Sequence, residues 1–368
     1  MKNLIRGCVF DVDIYKPGKN KVALKKECKI EGEICKLASN ENPLGPSPLA
    51  IKEIKKALED SHLYPDNSCS LLRNKLAKSL GFSPENLAVG NGTTDLIHLV
   101  GVAFLNPGES FIMSHPSFIM AKMVAQVMDC SLFEVPLKNY CHDLVSILKA
   151  INKKTKIIYL DNPINPIGTA VTQREIAKFM EDIPEDILVV LDEAYYEYVR
   201  RDDYPDSLKF VQEKRNVIVL RTFSKLYGLA GLRVGYCVAK EDFIDAIRRV
   251  TPPFSVNRLA QLAAAAAYDD QEHIRKSRTM NDSGKKFLYD NFEKMSVFYI
   301  PSDTNFITID AKSDAERLSE KLMERGVIVR PLTMYGLPTF LRVTIGTQKQ
   351  NKRFLNIFQQ VYKTEPQS

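Results

Sequence analysis

Lys225 stands in the segment TFSKLYGLAGLRVG, where a β-rich run, NVIVLRTF, gives way to a turn carrying Gly228 and Gly231. A lysine at the carboxyl edge of an open α/β sheet lies where such sheets place their ligands. A lone loop lysine is ordinarily a solvated surface residue, but the neighbours of this one change its meaning. Thr222 and Ser224 offer hydroxyls, the two glycines let backbone come close, and Arg233 adds a fixed cation. Together they suit a phosphate grip around an amine.

Three more segments end strand-like runs in polar residues. ILVVLDEAYYEY closes an apolar run with Asp192, Glu193 and Tyr195. A buried strand should not end in two acids without partners for them. An aspartate there is what a pyridine-ring cofactor needs, because its charge keeps the ring nitrogen protonated and the ring an electron sink. The bland readings are a metal ligand or a helix cap. Metal is disfavoured, since the five histidines show no spacing suited to ligation. VGNGTTDLIHL reads as strand, glycines and then a helix whose first turn carries Thr93, Thr94 and Asp95. The free amides of such a turn bind phosphate, although the dinucleotide fingerprint is absent because Asp95 stands where its third glycine would be. YLDNPINPIGT is a rigid turn with Asn162, Asn165 and two prolines, able to aim Asn165 at the same edge.

These segments need a scaffold that brings strand ends together. From Asn86 to Ala239, β-rich runs (NLAVG, SFIMS, SLFEVP, KIIYLDN, ILVVLDEAY, NVIVLRTF, VGYCVA) alternate with helical patterns. That alternation predicts one α/β unit with a mostly parallel seven-stranded sheet. After TPPFSVN the texture changes to an alanine-rich helix and a long polar helix reaching about Glu293. The runs SVFYI, NFITID, VIVRPL and LRVTIG follow, with a helix before the third and another after the fourth, as in a smaller α+β unit. The expected division is an arm over 1–36 belonging to the small unit, a large domain over 37–255 and a small one over 256–368.

The 368 residues, 45% hydrophobic and 26% charged, set aside disordered and fibrous classes. The net charge of +6 is scattered, without the like-charge runs of a nucleic-acid or lipid footprint. Seven cysteines, odd in number and without CxxC spacing, fit a reducing cytoplasm better than a disulfide framework or a zinc site. Asp11 and Asp13 interrupt any apolar leader, and no stretch approaches a membrane span. The expectation is a soluble cytoplasmic protein.

The ordered set GNGTTD, HPSF, NPINPIG, DEAY, TFSKLYGLAGLRVG and LRVTIG resembles the fold-type I pyridoxal-phosphate (PLP) aminotransferases. Within them the chain most resembles the histidinol-phosphate aminotransferases, through ASNENPLGPSP, LYPDNSCSLLRNKLA, PFSVNRLAQLAAAAAYDD and GVIVRPLTMYGLPTFLRVTIGT, over almost its whole length. The resemblance implies that Lys225 anchors pyridoxal 5'-phosphate and, once displaced by substrate, moves the proton between Cα and C4′. Asp192 would pair with the ring nitrogen, Asn165 and Tyr195 with the ring 3-oxygen, and Phe118 would stack on the ring. Gly92, Thr93, Thr94, Thr222, Ser224 and Arg233 would surround the cofactor phosphate, with Tyr64 reaching in from a second subunit of a homodimer. Arg342 would take the substrate α-carboxylate, and Arg330 and Tyr15 the substrate's own phosphate. The implied reaction is transamination of histidinol phosphate with 2-oxoglutarate, giving imidazole-acetol phosphate and glutamate, a step of histidine biosynthesis.

Two departures stand out. Ile164 and Ile167 replace polar residues of the family's NPNNPTG, and Thr93, Thr94 and Asp95 replace the usual alanine or serine followed by Asp-Glu. The Thr94-Asp95 pair is similar to the threonine-phosphate decarboxylases, a lyase alternative. An aromatic-amino-acid aminotransferase on the same scaffold is another, and a non-catalytic cofactor-sensing module a third. Against the last stand the expectations that no helix-turn-helix domain lies ahead of the arm and that no basic patch would serve one.

Overall fold

The computed structural model describes residues 4–12, 14 and 33–363. Its strands in chain order are β1 (Cys35–Lys36), β2 (Leu87–Gly90), β3 (Ser110–His115), β4 (Ser131–Pro136), β5 (Thr155–Asp161), β6 (Leu188–Asp192), β7 (Val217–Thr222), β8 (Gly235–Val238), β9 (Phe298–Ile300), β10 (Phe306–Asp310), β11 (Val327–Ile328), β12 (Arg330–Leu332) and β13 (Leu337–Thr344).

All seven expected strands form one sheet, in the order β2-β8-β7-β6-β5-β3-β4. Neighbours from β4 through β7 pair in parallel, while β8 runs antiparallel to both β7 and β2. The central strands β5 to β7 are continuous runs of β-branched and leucine residues because helices cover both faces of the sheet. β4, at the edge, alternates exposed and partly buried positions and ends in a proline, as an edge strand can. The chain leaves β3 toward β4 on one side and, from β5 on, proceeds toward β7 on the other. The crevice at that reversal is where a doubly wound sheet presents a site. β5 and β6 are in register at their last residues, Asp161 opposite Asp192, so two acids stand side by side at one sheet edge.

The second sheet is antiparallel, in the order β12-β13-β10-β9. Ile307, Ile309, Leu341 and Val343 turn to one face, where they pack with Leu318, Leu322, Phe354 and Phe358 of the helices Ala315–Glu324 and Gln348–Tyr362. The alternate residues of β10 and β13, among them Thr308, Phe340, Arg342 and Thr344, face the large unit. The run VIVRPL is two strands rather than one. Val327 and Ile328 pair in parallel with β1, tying the end of the arm to the small unit, and only β12 joins the four-stranded sheet.

The expected boundary after residue 255 needs correction. In the helix Arg258–Asp269, Ala260, Ala263, Ala264, Ala265 and Ala267 are buried in the large unit's core, against the helix Pro48–Ala57. Alanines let helix axes come close, so the alanine run serves the large core. The next helix, Gln271–Lys294, is the actual link: Ile274 near its start belongs to the large core, Leu288 and Phe292 near its end to the small one.

Candidate active site

Above the carboxyl ends of β5, β6 and β7 lies a cavity of about 140 Å³. Its walls include Thr93, Thr94, Phe118, Asn165, Asp192, Tyr195, Thr222, Ser224, Lys225 and Arg233, residues read from separate segments of the sequence. The loops that follow parallel strands deliver them to one edge.

Lys225 follows β7 by three residues, and its Nζ donates to the Ser39 carbonyl at 3.3 Å. Desolvation, with the cations of Arg342 and Arg233 nearby, pulls its amine down to about 8. Asp192 ends β6 and is buried. Its Oδ2 accepts from the Tyr159 hydroxyl at 2.8 Å and its Oδ1 from the Ala194 amide at 3.1 Å. Burial pushes this carboxyl up to about 6, although the Tyr159 hydrogen bond opposes the rise. The second acid of the pair takes a separate partner. Glu193 accepts from Arg221 through Nε at 2.9 Å and Nη2 at 2.8 Å, both side chains buried, and the guanidinium stacks on Tyr196 at 3.7 Å. The two acids expected to need partners thus have them in Tyr159 and Arg221.

The phosphate-suited end is built from glycine and arginine. Gly92 caps the helix Thr93–Phe104 at φ +86°, and a Cβ there would come within 2.4 Å of Arg233 Nη2. Only glycine admits the guanidinium so close. Arg233 Nη1 donates to Ser224 Oγ at 3.3 Å and to the Ala230 carbonyl at 3.1 Å, while the Ser224 amide donates to Thr222 Oγ1 at 3.1 Å. Asp95, in place of a third glycine, accepts from the Asn91 amide at 2.8 Å and fastens the loop to its helix. Helix-start amides, a hydroxyl and an arginine converge on one end of the cavity, which suits a phosphate.

Toward the small unit, Tyr195 is buried with its hydroxyl accepting from Asn40 Nδ2 at 2.8 Å. Asn165 accepts through Oδ1 from Arg342 Nη1, and Arg342 Nη2 donates to the Ala38 carbonyl at 2.8 Å. Arg342 is buried and stands opposite Arg330 in the β12–β13 register. Tyr64 is 80% exposed and stacks on Phe254 at 4.6 Å, away from this chain's own cavity. Tyr15 lies outside the described residues.

Several residues that sequence reasoning missed complete the site. Asp161 lines the cavity, and its carboxyl accepts from Ser117 Oγ and, at 2.8 Å, from the Asn165 amide. It therefore joins the turn bearing Asn165 to the connection bearing Phe118. Burial raises it to about 8. The run YLDN carried a signal for both Tyr159 and Asp161: polar groups two apart, on one side of a strand expected to be buried. Asn40 and Arg221 had none, because their partners lie far along the chain.

Residues 32–358 match the family model for aminotransferase class I and II. The chain is 44% identical over 358 residues to the histidinol-phosphate aminotransferase of Caldicellulosiruptor saccharolyticus, covering 97% of this chain and 100% of that protein. It is 43% identical to that of Moorella thermoacetica, covering 97% and 92%. Among solved structures, histidinol-phosphate aminotransferase from Sinorhizobium meliloti in complex with pyridoxal-5'-phosphate superposes with a TM-score of 0.89 at 26% identity, covering 98% of each chain.

Proposed function

We propose, from the premise that the chain belongs to the class I and II aminotransferases and among them to the histidinol-phosphate aminotransferases, that it is a PLP enzyme of histidine biosynthesis. It moves the amino group of histidinol phosphate to 2-oxoglutarate, giving imidazole-acetol phosphate and glutamate. The observation that carries this reading is the convergence on one cavity of Lys225, Asp192 and an anion-suited end formed by Thr93, Thr94, Ser224 and Arg233.

The residues fit pyridoxal 5'-phosphate. A buried aspartate lines the cavity, and Gly92 leaves room for Arg233 beside the helix start. When bound, the cofactor supplies an electron sink conjugated to the substrate's Cα. Asp192, held by Tyr159, would pair with the ring nitrogen and keep it protonated. Asn165 and Tyr195 would hydrogen-bond the ring 3-oxygen, and Phe118 would pack on the ring. Gly92, Thr93, Thr94, Thr222, Ser224 and Arg233 would hold the phosphate. Lys225 would anchor the cofactor and serve as the acid and base for the proton at the substrate's Cα. With its amine pulled down to about 8, a useful fraction is neutral near physiological pH, as a nucleophile and a base require.

Arg342 takes the α-carboxylate of glutamate or 2-oxoglutarate in two-pronged fashion. Arg330 and Tyr15 meet the phosphate of the other substrate. The register of Arg342 opposite Arg330 supports a site for substrates that carry two negative charges each, by turns carboxylates and phosphate. The active unit is a homodimer in which Tyr64 reaches the partner's cofactor phosphate. Supporting this, Tyr64 is exposed together with Leu58, Leu63, Leu71 and Phe254. The enzyme works in the cytoplasm; among the described residues no helix is long and apolar enough to cross a membrane.

The test is to add histidinol phosphate, phenylalanine or threonine phosphate separately to cofactor-loaded protein without a keto acid. The cofactor band should convert to the aminated form far more readily with histidinol phosphate. Preferential conversion by phenylalanine would make the enzyme an aromatic aminotransferase, and release of carbon dioxide from threonine phosphate a lyase.

A further inference from the structure

Ile164 and Ile167 stand where the family carries polar residues, and nothing in the chemistry above uses them. Both are fully buried, and they share one apolar cluster with Ile300, Leu332, Tyr335 and Phe340 of the small unit. The turn bearing them is closed on itself, Gly168 N donating to the Ile164 carbonyl at 2.7 Å and Ile164 N to the Thr169 carbonyl at 2.8 Å. Its two isoleucines are therefore presented outward, to the small sheet.

Polar bonds frame the same seam. Thr308 Oγ1 donates to the Pro166 carbonyl at 2.5 Å, Asp303 N to the Gly168 carbonyl at 2.8 Å, and Arg342 to the side chain of Asn165. At Gly168 a Cβ would stand 2.5 Å from Ser302 Oγ, so the approach is close. On the sheet, Phe340 precedes Arg342 by two residues on β13 and Leu332 follows Arg330 by two on β12. Alternation along β13 sets Phe340 and Arg342 on one face, and Leu332, beyond a register shift at Pro331, enters the same apolar cluster as Phe340. The strand pairing makes Arg330 and Arg342 neighbours.

We propose that Ile164 and Ile167 are positioning residues for substrate binding: they dock the cofactor-side turn on the small sheet at one fixed spacing and thereby hold the Arg342 guanidinium against Asn165 at the cavity's edge. The inference rests on the reading of Arg342 as the carboxylate-binding group. Asparagine and threonine, the family's residues, would place polar groups inside an apolar cluster in this chain. The seam would then loosen, and with it the arginine's position but not the strand-end groups that hold the cofactor.

The experiment uses the cofactor-loaded full-length protein with the double substitution Ile164→Asn/Ile167→Thr, and glutamate as the probe. Cofactor retention and its absorption spectrum should match the parent. The glutamate concentration that half-saturates the half-reaction should rise on the order of 10- to 100-fold, as misplacement of a positioning group does. The Ile164→Val/Ile167→Val protein should stay close to the parent. An unchanged half-saturation in the folded Asn/Thr protein overturns the proposal, even if its thermal stability falls. If that protein does not fold, Phe340→Ala and Ile300→Ala probe the seam from the other side, and unchanged half-saturation in both overturns it equally. A parent enzyme that does not react with glutamate at all sinks the substrate reading, and this failure is visible before any variant is made.

Discussion

The two walls of the site are built differently. On the large-unit side, Asp161, Asp192 and Thr222 are the last residues of adjacent parallel strands, so backbone pairing sets their spacing. On the small-unit side, Arg342 is brought against Asn165, a residue of the cavity lining, only because a second sheet docks there, through its bonds to Asn165 and the Ala38 carbonyl and through an apolar seam. Ladder hydrogen bonds fix the first wall within one folding unit. Packing between units sets the second, and small changes of volume or polarity disturb packing readily. Damage to the first wall should therefore be felt in cofactor chemistry, and damage to the second in substrate saturation.

That contrast can be broken by graded substitutions. Lys225→Ala should be the most severe, lowering turnover about 10⁴-fold or more and abolishing the borohydride-trapped lysine adduct detected by peptide mass. Asp192→Asn should follow, with kcat lower on the order of 10²–10³-fold, the scale of losing a buried electrostatic partner at the reacting centre. Arg342→Lys should raise the half-saturating glutamate concentration roughly 10- to 100-fold while cofactor affinity holds, because a point charge replaces a two-pronged donor. Equal loss of cofactor and substrate binding in this protein would erase the distinction between the walls.

Two smaller effects sharpen it. Tyr159→Phe removes the hydroxyl that lowers the Asp192 carboxyl, leaving a buried acceptor short of a partner at a cost of about 1–3 kcal/mol. With the Asp192 carboxyl raised further, its charged form needs a higher pH, so the acid limb of the rate profile should move upward. Asp161 has a folded-state value raised to about 8, far above the unfolded carboxylate range. Between the two values the folded state holds the extra proton, so the cofactor-free protein should lose stability as pH rises from about 4 to about 8. In Asp161→Asn that part of the pH dependence should be missing from denaturant midpoints.

Much of the first wall was legible in the sequence. The seven sheet strands were marked by dense β-branched runs with turn residues between them; Asp192 ends one of them, and Lys225, Asn165 and Tyr195 follow strand ends by a few positions. Less legible was what depends on partners distant in sequence. Arg221 for Glu193, Asn40 for Tyr195 and the apolar cluster that Ile164 shares with Phe340 are arrangements that no local pattern encodes. The alanine helix was readable as a tightly packed helix, yet its side chains could not say which core they enter. VIVRPL read as one strand because five apolar residues flank its arginine, whereas the structure divides it between two sheets at Val329.

The central claim is that one cavity passes an amino group between a phosphorylated amine and a keto acid by way of Lys225. The most direct measurement is a stepwise stoichiometry. Cofactor-loaded protein is treated with histidinol phosphate, freed of small molecules, and then given 2-oxoglutarate. Glutamate should appear in step with the number of Lys225 sites, and the original cofactor spectrum should return. A spectrum unmoved by histidinol phosphate, or glutamate absent after the second step, would contradict it.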